Sequence, residues 1–174
     1  EKAAGERVNV TFRKEDARNL PFVNEFDLVM MLCEGAFPLM ETDEMNFKIL
    51  AGAAKALRNG GKLIFTTLNG LFPLFHSVKE FMDSHSKEDN ATYEGLSFDL
   101  MTFRDRSTTK IVDDLGNQKE LACSERYYVP SEITWMLKSL GFRTVDILGA
   151  TLGKFSRGDR LTTGDFEMLG VAEK

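Results

Sequence analysis

The apolar and polar positions of the chain predict strands and helices in alternation, with one long interruption. Val8, Val10 and Phe12 alternate with Asn9 and Thr11, a period of two that predicts a strand over 8–12. The charged and proline-broken stretch from Arg13 to Phe22 predicts a loop. Phe26 to Cys33 is almost continuously apolar, the pattern of a strand buried on both faces of a parallel sheet. Thr42 or Asp43 is placed to cap a helix carrying Met45, Ile49, Leu50, Ala53, Ala54 and Leu57 at helical spacing, and Asn59-Gly60-Gly61 to stop it. Lys62 to Leu68 is the next strand. Strand, helix and strand on short connections predict a right-handed βαβ crossover and a doubly wound α/β sheet.

The alternation breaks after Asn69. Residues 70–128 are expected to form an inserted cap over the carboxyl ends of the strands. Within them Leu71 to Met82 is apolar and helix-like, and Asp83 to Asn90 is polar and loop-like. Phe98 to Val112 and Lys119 to Tyr128 are strand-like, and the turn residues Asp114 to Asn117 predict an antiparallel hairpin between them. Alternation then resumes. Pro130-Ser131-Glu132 opens a helix that Gly141 ends, Phe142 to Leu148 is a strand, and a glycine-spaced connection containing Gly149, Gly153 and Phe155 leads to a last strand, Phe166 to Ala172. The organisation is therefore a core of 1–69 and 129–174 with a cap of 70–128.

Composition narrows the function classes. The 174 residues suit one domain, and 43% hydrophobic with 28% charged residues allow a real core and a wet surface. A net charge of −5 argues against a protein that neutralises nucleic-acid phosphates. No apolar run is long enough to span a bilayer and no signal-peptide pattern is present, so a cytoplasmic protein with no membrane partner is expected. Cys33 and Cys123, far apart, suit a reducing compartment, and His76 and His85 lack partners for a metal site. The start at Glu1 is read as an internal point of a longer gene product, or as that of a processed or cloned fragment.

Several of these stretches resemble class I S-adenosylmethionine-dependent methyltransferases. Glu15-Asp16-Ala17 followed by Leu20-Pro21-Phe22 is similar to the end of that family's third strand, and Phe26-Asp27-Leu28-Val29 to its fourth. Leu57-Arg58-Asn59-Gly60-Gly61-Lys62-Leu63 resembles the turn before its fifth strand, with Asn59 in place of the usual proline. Tyr128, Ser131-Glu132-Ile133, Leu140-Gly141-Phe142 and Glu167 to Ala172 resemble its late helix and last two strands. Leu32 to Phe37 and Thr67 to Gly70 resemble a subgroup of small bacterial and archaeal enzymes.

The resemblance implies a Rossmann-like sheet, S-adenosylmethionine as cofactor and a small-molecule acceptor. It also implies a Gly-rich loop and a ribose-binding acid, which have no counterpart here. They would lie before Glu1, in about 60–80 residues if two strand–helix units of ordinary length precede it. The chain as it stands is therefore expected to be an N-terminally incomplete sheet and not competent alone.

Open α/β sheets bind ligands at the carboxyl ends of their strands, so the candidate residues follow each strand. The resemblance makes Asp16 and Ala17 the candidate adenine contacts and implies that Leu32 and Cys33 lie beside the cofactor's methionine and methyl group. Glu34, an acid leaving an apolar run, is the candidate base, with Asn69 facing the acceptor. Phe37, Phe72, Arg126 and Tyr128 are the candidate acceptor-binding residues, with Phe75 and Tyr127 as further aromatics. The alternative is a truncated or degenerate non-enzymatic domain that acts by association with another chain. A nicotinamide-dependent dehydrogenase is disfavoured by the lack of a Gly-rich dinucleotide loop. Without the family's first two strands, an apolar edge on Leu28 to Leu32 is left open; either the Val8 strand pairs directly with the Phe26 strand, or two copies cover the edge, and the homodimer is the favoured outcome.

Overall fold

The helix predicted after Thr42 fixes the centre of the molecule. In the computed structural model, which describes residues 5–6, 8–33, 37–89, 92–112, 115–151 and 154–174, this helix is Asp43–Ala56 (α1). Thr42 Oγ1 accepts a hydrogen bond from the Met45 N–H at 3.2 Å, and Asp43 and Glu44 occupy the first turn beside the positive end of the helix dipole. Ile49, Leu50, Ala53 and Ala54 are buried along one stripe. The helix ends three residues before the Asn59-Gly60-Gly61 stop. Leu57, expected on the helix, is instead the fully buried first residue of the following strand.

That strand, Leu57–Leu68 (β2), pairs in parallel with Phe26–Met31 (β1), from Leu28 against Lys62 to Met31 against Phe65. A register irregularity lies between Phe26 and Leu28, where Gly60 has φ +78°. Pro130–Ser139 (α4) is ended by Gly141 at φ +91°. Thr144–Thr151 (β6) and the short Lys154–Phe155 (β7) follow. Glu167–Glu173 (β8) then runs antiparallel between β2 and β6, giving the order β1-β2-β8-β6-β7. One face of this sheet and the two helices enclose a core that includes Leu50, Leu57, Leu63, Phe65, Ile133, Leu137, Phe142 and Met168.

The insert contains Phe72–Phe75 (α2), Val78–Asp89 (α3) and a separate antiparallel sheet of Thr92–Asp99 (β3), Arg104–Val112 (β4) and Gln118–Arg126 (β5). The β4–β5 hairpin closes with Val112 opposite Gln118 around Gly116 at φ +82°; Asp114 lies outside the described residues. The insert meets the core at the carboxyl end of β2, where Leu68, Phe72, Val78 and Tyr127 are buried against Phe81, Phe98 and Phe166. The Phe81 and Phe166 rings stack at 4.2 Å.

Further sequence expectations need correction. Phe26 to Met31 is not buried on both faces: Val29 and Met31 are half-buried and the other four residues are exposed. The run Phe98 to Val112 is two strands, not one. Asp99 accepts from the Met101 N–H at 2.8 Å and the Thr102 hydroxyl at 2.9 Å, and Phe103 turns at φ +51°, so the chain reverses there. Asp83 to Asp89 continues α3 rather than forming a loop. Val8 to Phe12 forms no strand. No described strand lies beside it to complete its backbone hydrogen bonds, and Phe12 is 82% exposed.

Candidate functional site

The carboxyl ends of β1 and β2 lie side by side, because the two strands are parallel. Just past β1, Leu32 is 39% exposed and Cys33, a free thiol, turns the backbone at φ +59°. Glu34 lies outside the described residues. Phe37 returns the chain to the core, where its ring stacks on Tyr128 at 4.8 Å and meets the Phe65 edge at 6.0 Å. The recorded pairing of the two strands ends at Met31 and Phe65, and β2 runs on to Thr67 and Leu68. Thr67 is 1% exposed, and among the described residues its hydroxyl is the buried side-chain polar atom with no hydrogen-bond partner.

Asn69 closes the strand end. Its amide donates to the Asp165 carbonyl at 2.7 Å and the Thr162 carbonyl at 3.2 Å, and its oxygen accepts from the Leu71 N–H at 3.0 Å. Asn69 thus ties the connection before β8 to β2, and its backbone bridges to Tyr128. Asp16 and Ala17 stand apart on the loop before β1. The Asp16 carboxylate caps the short 3-10 turn Ala17–Asn19 and is paired with Arg18 at 2.8 Å. The Arg18 side-chain and backbone hydrogen bonds hold its pKa down to about 2. Ala17 is half-buried, with its carbonyl against Gly52 of α1.

Arg126 and Tyr128 belong to a charged latch between the insert and the two long helices. Arg104 of β4 donates to the Met40 carbonyl at 2.8 Å and to Asp43 at 2.9 Å. Arg126 of β5 donates to the other Asp43 oxygen at 3.2 Å, to Glu132 at 2.7 Å and to the Tyr127 carbonyl. The remaining Glu132 oxygen accepts from the Val129 N–H at 2.9 Å. Both arginine side chains are 8% exposed, so breaking one partner would strand a charge away from water. Burial opposes the Arg126 charge, but Glu132 and Asp43 more than offset it and raise its pKa. The guanidinium lies 4.4 Å over the Tyr128 ring. The Tyr128 hydroxyl accepts from Asn46 at 3.0 Å, and burial, with the Asp43 charge, pushes its pKa up.

Between the N-terminal halves of α1 and α4 a groove of about 750 Å³ opens to solvent, lined by Phe47, Lys48, Arg126, Tyr128, Trp135 and Met136 and rimmed by Asp43, Glu44, Ser131 and Glu132. Both helices start from the carboxyl-end side of the sheet, so the groove lies at that end. The structure therefore brings Phe37, Arg126 and Tyr128 together, while Phe72 lies in the aromatic cluster with Tyr127. Sequence reasoning did not single out Asp43 or Glu132 as site residues, because each also reads as a helix-start acid. Trp135 and Thr67 carried no signal beyond their elements. Among the described residues no group of three His, Cys, Asp or Glu side chains is placed to hold a metal, and no helix is long and apolar enough to cross a membrane.

No family model matches the chain, and no curated protein matches it. Solved structures do. The chain is similar to an S-adenosylmethionine-dependent methyltransferase from Clostridium acetobutylicum, at 13% identity and a TM-score of 0.68, over 99% of this chain and 68% of that one. It is similar to the CcbJ methyltransferase from Streptomyces caelestis, at 14% identity and a TM-score of 0.63, over 91% and 61%. It is also similar to the 1,6-didemethyltoxoflavin N1-methyltransferase of Burkholderia thailandensis, at 13% identity and a TM-score of 0.50, over 99% and 55%. The fold is that of class I S-adenosylmethionine-dependent methyltransferases. The chain spans between about half and two thirds of the length of these structures.

Proposed function

We propose that this chain is the larger part of an S-adenosylmethionine-dependent methyltransferase acting on a small molecule. The observation that carries this reading is the match of nearly the whole chain, sheet and insert together, to solved methyltransferases. The Burkholderia thailandensis enzyme was solved with 1,6-didemethyltoxoflavin and S-adenosylhomocysteine bound, which supports a small-molecule acceptor and this cofactor.

The strand ends fit a polar ligand. The buried Thr67 hydroxyl lacks a partner, and a buried donor of this kind is normally satisfied by a ligand or a water. Just past β1, the exposed backbone turn at Leu32 and Cys33 leaves room for the ligand to approach. When bound, S-adenosylmethionine supplies a methyl group on a sulfonium centre. The residues of the chain position and shield. Asp16, held by Arg18 in this structure, would accept from the adenine amino group, and Ala17 would give a backbone contact to the same ring. Leu32 and Cys33 flank the methionine end. Glu34 would take the proton released by the acceptor, and Asn69 holds the connection before β8. Phe37, Phe72, Arg126 and Tyr128 shape the acceptor side and exclude water, so that rate comes from alignment. The free thiols of Cys33 and Cys123 suit a cytoplasmic enzyme.

Calorimetry of the full-length protein with S-adenosylhomocysteine tests the reading. One saturable site is expected, weakened about tenfold by Asp16→Ala through loss of one hydrogen bond to the ligand. Absence of binding heat would instead favour a non-enzymatic domain that acts through another chain.

A further inference from the structure

We infer that the groove between α1 and α4 binds a neutral, planar aromatic molecule, held against the indole of Trp135. Shape gives the first argument. About 750 Å³ suits a ligand of two or three fused rings and lies in the ordinary range of small-molecule sites. Both faces of Tyr128 are already covered, by Phe37 and by the Arg126 guanidinium, so Tyr128 closes the floor. Trp135 is 70% exposed, and its ring faces are the aromatic surface left for a ligand, with Phe47 and Met136 as apolar walls. The apolar surface is short. Exposed Lys48 and Lys55 follow on α1 and exposed Lys138 on α4, so no extended stripe exists for a partner helix.

Charge gives the second argument. Asp43, Glu44 and Glu132 face the groove, and they are balanced by Lys48, Arg126 and, behind Asp43, Arg104. Three carboxylates against three cations leave no net field to draw an ion in. The arginines are also already committed to carboxylates and carbonyls. An anionic ligand would have to compete with Asp43 and Glu132. The exposed Ser131 at the rim offers one hydroxyl to a ring heteroatom. Calling this molecule the methyl acceptor rests on the methyltransferase reading; its binding to the groove does not.

Trp135 is the single tryptophan of these 174 residues, and the emission that Trp135→Ala lacks is its own. The probe is N-phenyl-naphthylamine, a neutral aromatic amine, titrated into the full-length protein. One probe per chain and quenching of the Trp135 emission are expected. Trp135→Ala, read by the probe's own emission, should weaken binding about tenfold, as for an aromatic anchor. The anionic anilinonaphthalene sulfonate should bind about tenfold more weakly than the neutral probe. Val112→Thr, 65% exposed at the far end of the β4–β5 hairpin, should leave probe binding unchanged. Equal affinity in Trp135→Ala, equal affinity for the anion, or loss of binding in Val112→Thr would each overturn the assignment. Calorimetry with S-adenosylhomocysteine on the same samples separates the two readings. Probe binding without cofactor binding sinks the methyltransferase and leaves the groove, and the reverse sinks only the groove.

Discussion

β8 and β1 are built from similar residues and sit at different depths. Met168-Leu169-Gly170-Val171-Ala172 is buried throughout, because β2 and β6 pair with both edges of β8. In Phe26 to Met31 only one edge is paired, and Leu28 is 46% and Met30 60% exposed. An apolar run announces a strand, but the neighbours decide whether it is buried. The two strands therefore respond differently to the same kind of substitution.

The largest effect is expected where burial is tightest. Gly170 lies opposite Phe65 across the β2–β8 ladder, and any Cβ there would overlap the Phe65 ring. Gly170→Val should cost about 3 kcal/mol by urea unfolding, with partial recovery in a Phe65→Leu background. Next comes the matched pair of methionines. Met168→Ala, at 0% exposed, should cost about 2–3 kcal/mol by the same measurement, while Met30→Ala should change stability by less than about 0.5 kcal/mol. The proposed homodimer is tested at the same residue: if two copies of these 174 residues pair along β1, Met30→Lys should turn a dimer into a monomer in sedimentation velocity. Thr67→Val comes next and has the opposite sign. It keeps the shape and removes a buried hydroxyl without a partner, so it should raise stability by about 1 kcal/mol.

The same contrast explains what the sequence conveyed. The βαβ unit from β1 to β2, α4, β6 and β8 were legible because their apolar spacing matches their period. The three-stranded sheet was half legible. Its hairpin carries turn residues, but the reversal at Asp99 to Phe103 depends on hydrogen bonds accepted by one aspartate side chain and on a left-handed phenylalanine, which no periodicity reports. Val8 to Phe12 shows the converse, a strand pattern without a neighbour. In the site, Phe37, Arg126 and Tyr128 were legible as aromatic and charged residues near strand ends. The latch through Asp43 and Glu132 was not, since it joins residues 83 and 6 positions apart in sequence. The Thr67 hydroxyl was invisible for the same reason, because whether a polar atom is satisfied depends on the fold around it.

The smallest expected effect sets two aspartates against each other, one open and one sealed. Asp16 is exposed, and its Arg18 hydrogen bonds hold its pKa at about 2, below the ordinary 3.8. A depressed carboxyl gives the folded state stability that is present above pH 3.8 and lost as pH falls towards 2. Asp105 is 3% exposed, and burial raises its pKa despite hydrogen bonds from the Tyr127 hydroxyl at 3.0 Å and the Glu125 N–H at 3.2 Å. Between 3.8 and that raised value the folded state binds more protons than the unfolded one, so this group's contribution improves as pH falls. Asp105→Asn keeps both contacts if the amide oxygen accepts from Glu125 and the amide N–H donates to the Tyr127 oxygen. It removes the buried charge and reverses the Tyr127 hydrogen bond, so its stability relative to the parent should fall as pH falls through that window. Asp16→Asn should behave the other way. It is less stable than the parent at neutral pH, and the gap should close between pH 4 and 2. Thermal melts of the three proteins across this range check both signs. Parallel pH profiles for the two variants would mean that neither carboxylate's environment is as described.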